Sequence, residues 1–304
     1  MNTKAMNVGF AAGLTAILFM SGCAGKRDEA TVGTPANPLV VVLSPAYSPA
    51  SVPGAEETIK KHLESASGLT VQVRVAPTQT EAINAFAAGK TDAALLRLEE
   101  YLVARQEHGV SPGLQALREG GASDYEAVLL ARQDKKTSLD GLTGGKIGFV
   151  GPYSISGFTL PSIYLKKAGE KFTPVFSGGH DENVERLLKG EFDAAATYAR
   201  YASKRKGLKV LAVTGRIPNE PLVVRRGLDA AKREKLLAAF VSLSSKPEGR
   251  KALGAMADIT GFRPVDASVY KPIHDIIRKE GKSVYDLVPD GWNIHRLNQP
   301  YFPD

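Results

Sequence analysis

The 304-residue chain is poor in features that would indicate a disulfide-bonded, membrane-spanning or metal-dependent protein. It has one cysteine, Cys23, so no disulfide can form within the chain. Its longest apolar run, residues 9–20, is too short for a helix that crosses a bilayer. Its five histidines are far apart in the sequence and lack the spacing of metal ligands. We therefore expect neither a bound metal nor a cofactor.

Motifs of catalysis are also missing. The sequence has no Gly-x-Ser-x-Gly nucleophile elbow and no phosphate-binding P-loop. Glu99 and Glu100 could form an acid pair, but adjacent side chains point in different directions. Lysine and arginine total 39 against 32 aspartate and glutamate, a formal charge of +7, and the basic residues are scattered. This mild excess favours an anionic ligand over nucleic acid, and we expect a binding protein rather than an enzyme.

The N-terminal region has the pattern of an exported, anchored protein. Lys4 precedes the apolar run, and Ser21-Gly22-Cys23 follows it. Residues 1–22 are typical of a secretory signal peptide, and the small residues before Cys23 resemble a bacterial lipoprotein cleavage box, in which the cysteine carries acyl chains. The alternative is an ordinary signal followed by an unrelated cysteine. Residues 23–37 are polar and predict a flexible lipidated tether, with the folded part beginning near Pro38.

Beyond the tether, apolar strands alternate with helical patterns. Leu39–Leu43 is a continuous run of apolar, mostly β-branched residues, which is typical of a strand buried on both faces. A helical pattern, a second strand, a short helix and a third strand follow. This alternation predicts an α/β fold with parallel sheets and right-handed crossovers.

The pattern also predicts two lobes. Residues 38–131 and 132–218 each form an α/β unit, whereas residues 219–304 contain helices but few strands. Because such a segment cannot complete a sheet by itself, we expect it to pack on the first unit. Two hinge strands, residues 125–132 and 222–225, would then cross between the lobes, and the cleft between the lobes would bind the ligand.

Candidate ligand residues lie where strands end and helices begin. Ser154, Ile155 and Ser156 form a turn that leads into a helix, where unpaired N–H groups can bind an anion; the alternative is that a serine merely caps the helix. His180 opens another helix, and its imidazole could donate to an oxyanion or face solvent. Three tyrosines follow strands and could either point into the crevice or simply pack: Tyr47, Tyr101 and Tyr198.

Seven blocks, in order, resemble the periplasmic binding proteins of phosphate, phosphite and phosphonate ABC transporters. They include EAINAFAAGKTDAALLRLEEYLVAR, SLDGLTGGKIGFVGPYSISGFTLP and FSGGHDENVERLLKGEFDAAATY, and the resemblance runs from about residue 39 to residue 275. It implies a type II periplasmic-binding fold that closes on its ligand by hinge motion, and an ABC permease in the inner membrane as partner. It also implies that a small phosphorus oxyanion binds the turn at residues 154–156, with further contacts from His180, Tyr47 and Tyr101.

The sequence departs from this family at two places. Leu-Arg-Leu-Glu-Glu replaces the usual Gly-Pro before Tyr101, which could bring Arg97 or Glu99 into the cleft. Tyr198 stands where many relatives have Asp or Asn, and the missing acid disfavours aminoalkyl phosphonates. Two alternatives remain: a binding protein that feeds a membrane histidine kinase, and an enzyme on the same fold, as in thiamine-precursor synthesis. The tail, residues 291–304, lies beyond the resemblance.

Overall fold

The computed structural model describes residues 28–87 and 89–295. The expected signal peptide, Cys23 and the last part of the tail, residues 296–304, lie outside the described residues. Within them, no helix combines the length and apolar character needed to cross a membrane. The strands are β1 Leu39–Leu43, β2 Val71–Val75, β3 Ala93–Leu95, β4 Ser111–Leu117, β5 Asp124–Arg132, β6 Lys146–Phe149, β7 Thr173–Phe176, β8 Ala194–Tyr198, β9 Leu208–Pro218, β10 Pro221–Val224 and β11 Gly261–Pro264.

Helices connect most of these strands. They are α1 Ala55–Ser67, α2 Gln79–Asn84, α3 Leu98–His108, α4 Leu160–Lys167, α5 His180–Leu188, α6 Arg200–Lys204, α7 Ala230–Ser242, α8 Pro247–Ala255, α9 Lys271–Lys279 and α10 Gly291–Ile294. A π-helix, Ile155–Thr159, leads directly into α4. The α/β fold with two lobes that the sequence predicted is confirmed.

The first lobe contains a six-stranded sheet in the order β11-β4-β10-β3-β1-β2. Strand β1 pairs in parallel with β2 and β3, because α1 and α2 cross over between them. Strands β10 and β11 come from the last third of the chain and pair antiparallel with β3 and β4. All five residues of β1 are buried, since α1, α7 and α8 pack on one face of the sheet and α3 and α9 on the other.

The second lobe contains a five-stranded sheet in the order β7-β6-β8-β5-β9. The sequence placed residues 125–131 in the first lobe, as part of a hinge strand. Instead, β5 lies entirely in the second sheet, where it pairs with β8 on one side and β9 on the other. Likewise, β10 lies entirely in the first sheet. The chain therefore crosses between the lobes in two short links, residues 118–123 and 219–220, rather than along two strands.

The two links lie side by side and are joined through Asn219. Its backbone N–H donates to the Ser123 carbonyl oxygen at 2.8 Å. Its side-chain amide donates to the carbonyl oxygens of Ala116 and Ala122 at 3.0 and 2.9 Å. The Tyr270 hydroxyl donates to the Asn219 carbonyl at 3.2 Å. With Asn219 only 2% exposed, this hinge is short and internally hydrogen-bonded.

Residues 28–37, which we call the N-terminal strap, pack against the first lobe. Val32 is 1% exposed. The Arg225 guanidinium, itself largely buried, contacts both Glu29 and the buried Asp92. Lys232 Nζ donates to the Glu29 carbonyl at 2.7 Å. The flexible tether expected for residues 23–37 therefore does not include the strap, because one apolar side chain and a shared cation attach it to the fold.

Candidate functional site

A cleft of about 830 Å³ lies between the two lobes. Its volume falls within the range of about 300–1,000 Å³ that is usual for small-molecule sites. The second lobe contributes Ser154, Ile155, Ser156, His180 and Tyr198, and the first lobe contributes Tyr47, Arg97 and Glu99. All but one of the candidate ligand residues predicted from the sequence thus line one cleft; the exception is Tyr101.

The turn at residues 154–156 follows β6 and opens the π-helix. The Ser154 hydroxyl accepts a hydrogen bond from the Gly157 N–H at 3.0 Å, so this serine does cap the helix. Ser156 is 5% exposed, and its side chain lies beside the Tyr125 hydroxyl. The N–H groups of Ile155 and Ser156 stand in the first turn, where a helix offers no internal acceptor. The turn therefore presents backbone donors to the cleft.

Close packing fixes the backbone of this turn. A Cβ atom at Gly157 would lie 2.4 Å from Val150 Cγ2 and 2.9 Å from the Ser154 hydroxyl oxygen. Such distances are far inside van der Waals contact, so glycine is required at this position. The widened π turn also lets the Thr159 N–H reach the Ser154 carbonyl at 2.9 Å. π-Turns within helices often lie at functional sites.

His180 stands across the turn as the first residue of α5. Its Nδ1 lies 2.8 Å from the Thr197 hydroxyl oxygen, and its ring packs edge-on against Tyr198 at 4.8 Å. Burial, aided by the positive charge of Arg97, lowers the pKa of His180 to about 4. The imidazole is therefore neutral at physiological pH, and Nε2 is the ring nitrogen not engaged by Thr197.

Arg97 and Glu99 form an ion pair on the first-lobe wall of the cleft. Arg97 Nε lies 2.7 Å from Glu99 Oε1. Both side chains enter the cleft, where the sequence predicted that one of them would. The neighbouring Glu100 turns away: it accepts from the Arg97 backbone N–H and from the Ser44 hydroxyl, each at 2.9 Å. Burial raises the pKa of Glu100 to about 7, and this residue holds the start of α3 in place.

Two tyrosines complete the inner cleft. Tyr47, 4% exposed, follows β1 as predicted, and burial raises its pKa further above the usual value, with a contribution from Glu220. Tyr125 is the second residue of β5, and burial together with the charge of Glu220 also raises its pKa. Its ring lies 5.8 Å from that of Tyr198. The hydroxyl groups of Tyr47 and Tyr125 are thus neutral hydrogen-bond donors.

The prediction that Tyr101 lies in the cleft is wrong. Tyr101 is fully buried inside the first lobe, with its ring 5.0 Å from Tyr270 and its hydroxyl accepting from Arg105 at 2.9 Å. The reason is that β3 ends at Leu95 and α3 begins at Leu98. Tyr101 is therefore a helical residue that faces the core. The sequence did not identify Tyr125 as a cleft residue, because residues 125–132 were predicted to form a hinge strand between the lobes.

Further charges lie at the base and mouth of the cleft. At the hinge, Arg118 Nη2 donates to Glu220 at 2.8 Å, while its buried Nη1 has no acceptor among the described residues. At the mouth, Arg200 of the second lobe pairs with Asp258 of the first at 2.8 Å. Asp258 follows Ala257, and both adopt left-handed backbone with φ of 58° and 55°. None of these residues was singled out from the sequence, because the partners are distant along the chain.

Comparison with known proteins agrees with this architecture. Residues 41–270 match the family model described as "ABC transporter, phosphonate, periplasmic substrate-binding protein". The phosphate-import protein PhnD of Mycolicibacterium smegmatis is 27% identical over 204 residues, 62% of this chain and 64% of that protein. The phosphonates-binding periplasmic protein of Escherichia coli is 25% identical over 171 residues, 51% of this chain and 49% of that protein. The chain thus spans from about half to just under two thirds of the length of these curated relatives.

A solved structure supports the fold. PhnD1 of Prochlorococcus marinus, determined in complex with methylphosphonate, superposes with a TM-score of 0.62 at 19% identity. The superposition covers 81% of this chain and 98% of that one. At this identity the likeness concerns the fold, which is the two-lobed architecture of periplasmic binding proteins.

Proposed function

Because the chain belongs to the phosphonate ABC transporter periplasmic substrate-binding protein family, we propose that it binds a small phosphorus oxyanion between its lobes and delivers it to an ABC importer. The family consists of transporter binding proteins rather than enzymes. The observation that carries the proposal is the turn at residues 154–156, whose backbone donors open a helix at the cleft beside His180.

In this proposal, the phosphorus oxygens bind the Ile155 and Ser156 N–H groups and the Ser156 hydroxyl. A helix start carries a partial positive charge, which favours an anion there. His180 donates through Nε2, and Tyr47 reaches across from the first lobe. Because these side chains are neutral, ligand binding does not require a buried unpaired cation or acid on the second lobe. Closure of the cleft about the hinge would exclude water from these hydrogen bonds and strengthen them.

Phosphate, phosphite and simple phosphonates fit this donor set better than aminoalkyl phosphonates. An ammonium group needs a carboxylate without a cationic partner. Tyr198 offers no charge, and the acids of the inner cleft, Glu99 and Glu220, are already paired with Arg97 and Arg118. We propose a ligand with a small or uncharged substituent.

The binding function can be tested by thermal unfolding of the chain without residues 1–22 and with Cys23→Ser. The ligands are phosphate, phosphite, hypophosphite, methylphosphonate, aminoethylphosphonate and sulfate. A ligand at 100 times its dissociation constant stabilises the folded state by about 2.7 kcal/mol, which raises the melting temperature measurably. A selective rise with phosphorus anions supports the proposal. Tight binding of aminoethylphosphonate alone would refute the ligand assignment, and no rise with any anion would refute the function.

Delivery to a permease is distinguished from sensing by uptake. Cells that lack the protein should lose import of the labelled anion and regain it with the wild-type gene. A sensor would instead leave import intact and change the phosphorylation of a membrane histidine kinase. An adjacent permease and ATPase in the genome would support import.

We also propose that Cys23 carries the lipid anchor of a periplasmic protein. The apolar residues 9–20 and the small residues before Cys23 support this. The strap contacts the first lobe at the edge of the sheet where β1 and β3 begin and β10 ends. The cleft residues lie at the other edge, where β1 and β3 end and β10 begins. The described chain, which begins at residue 28, therefore joins the first lobe at the end opposite the cleft. Labelling with radioactive palmitate should mark the wild type and not Cys23→Ser; equal labelling would refute the anchor.

A further inference from the structure

The guanidinium group of Arg97 lies in the inner cleft, where its positive charge can act on a bound anion. Resting on the proposed function, we infer that Arg97 is a specificity-determining residue that makes the cleft select doubly charged phosphorus oxyanions over singly charged ones. The predicted donors on the second lobe are neutral, and Arg200 of that lobe is paired with Asp258 at the mouth, so we expect charge selection at the inner site to come from the opposite wall.

The backbone holds Arg97 in a defined place. It lies two residues after β3 and caps α3, and its N–H donates to the buried Glu100 carboxylate at 2.9 Å. The first helical turn of α3 is buried behind it. The side chain is 36% exposed and lines the cleft. Arg97 is therefore a fixed part of the wall and its head group is accessible to a ligand.

The guanidinium is only partly engaged. Its Nε contacts Glu99, and its two terminal nitrogens make no hydrogen bond within residues 28–87 and 89–295. A guanidinium fork binds two oxygens of one oxyanion in its plane. Two terminal nitrogens that face a cleft thus form a ready pair of hydrogen-bond donors for two ligand oxygens.

The charge of Arg97 reaches both sides of the proposed anion position. It contributes to the low pKa of His180 on the second lobe, and it acts on Tyr47 and Tyr125 beside Ser156. The other cleft arginines lie away from the inner site. Arg118 is tied to Glu220 at the hinge, Arg200 pairs with Asp258 at the mouth, and Arg250 donates to the carbonyl oxygens of Ser244 and Ser245. Arg97 is the arginine that lies between the two walls of the inner site.

In this arrangement, different groups of the cleft stabilise the two negative charges of a dianion. A helix start supplies roughly half an elementary charge, and the neutral hydroxyl and imidazole donors add dipoles, which together suit one negative charge. A second negative charge needs a cation, and Arg97 provides it. Glu99 opposes this effect because it neutralises Arg97 in the empty cleft. The pair therefore sets the preference by a balance of opposite charges.

Isothermal titration at pH 8 would test the inference with phosphite, which is doubly charged, and hypophosphite, which is singly charged and smaller. Arg97→Gln should weaken phosphite binding by about 10- to 100-fold and hypophosphite binding by only a few-fold, and Arg97→Lys should restore part of the ratio. Glu99→Gln should change the ratio in the opposite direction, towards phosphite. Arg186→Gln is the matched control, because Arg186 Nε also pairs with a glutamate at 2.7 Å but lies outside the cleft. It should leave the ratio unchanged.

The outcomes separate this inference from the function on which it rests. Wild-type protein that binds neither anion would overturn both. Wild-type protein that binds phosphite, with Arg97→Gln reducing both affinities equally or not at all, would overturn the charge-reading role alone. A melting temperature within a few degrees of wild type for each variant ensures that the folded state is compared.

Discussion

The two serines of the cleft turn, Ser154 and Ser156, should have different effects when their hydroxyls are removed. Ser154 caps the helix by accepting from the Gly157 N–H, whereas the Ser156 hydroxyl meets Tyr125 at the cleft. We expect Ser154→Ala to cost about 0.5–2 kcal/mol of unfolding free energy, the usual loss for an N-cap. We expect Ser156→Ala chiefly to weaken ligand binding.

The size of the binding effect follows from the bond that is lost. A hydrogen bond to a charged group contributes about 1.5–3 kcal/mol, and each 1.4 kcal/mol is tenfold in affinity. Ser156→Ala should therefore raise the dissociation constant for phosphite by about 10- to 150-fold. Binding should not vanish, because the Ile155 and Ser156 N–H groups remain.

The two effects are measured by urea unfolding and by isothermal titration with phosphite. Ser162→Ala serves as control, since Ser162 is equally buried at 5% but donates to the Thr159 carbonyl within the helix. It should not change ligand affinity beyond twofold. Ser156→Ala with wild-type affinity would refute the assigned site, and Ser154→Ala with unchanged stability would refute its capping role.

Three further predictions concern stability. The pKa of His180 is 6.5 in the unfolded chain and about 4 in the folded protein, so its stabilising contribution is complete above pH 6.5 and is lost as the pH falls towards 4. At pH 5 the wild type should lose at most about 2 kcal/mol of unfolding free energy relative to His180→Asn, as measured by urea unfolding. Parallel pH profiles of the two proteins would contradict this. Asn219→Ala removes two hinge hydrogen bonds, to the Ala116 carbonyl and to the Ala122 carbonyl, which keeps the Arg118 N–H as a donor, and should cost roughly 1–3 kcal/mol by the same assay, so a loss below about 0.5 kcal/mol would show that the hinge tolerates its removal. Arg225→Ala removes the cation shared by Glu29 and Asp92, and limited proteolysis should then cut within the strap faster than in the wild type; unchanged cleavage would mean that the strap is held by Val32.

Local sequence patterns were sufficient for the elements near the turn. The turn at residues 154–156, which leads into a helix, follows from residues close together in the chain, and it lies where the sequence predicted it. The same holds for His180 at the start of α5, since two glycines followed by an amphipathic run define a helix start. The α/β class likewise follows from alternating strand and helix patterns, which are local.

Prediction failed where side-chain direction or a distant partner decided the outcome. The sequence does not separate Tyr101 from Tyr125, because both lie near strand ends and only the position of α3 turns Tyr101 into the core. The positions of the two hinge links could be found only from the pairing of the strands, since the sequence pattern of β5 fits a strand of either sheet. The sequence predicted a flexible tether for the strap, because its polar residues do not indicate the contact between Glu29 and Arg225.

The sequence by itself therefore determined the α/β class, the helix-opening turn at residues 154–156 and the placement of His180, because each depends on contacts between near neighbours. Only the tertiary structure decided which tyrosines line the cleft, where the lobes join and which charges oppose each other. Asn219 meets a carbonyl 103 residues away, and Arg225 meets Asp92 across 133 residues. Such pairs form only when strands from both ends of the chain enter one sheet, and no local pattern specifies them.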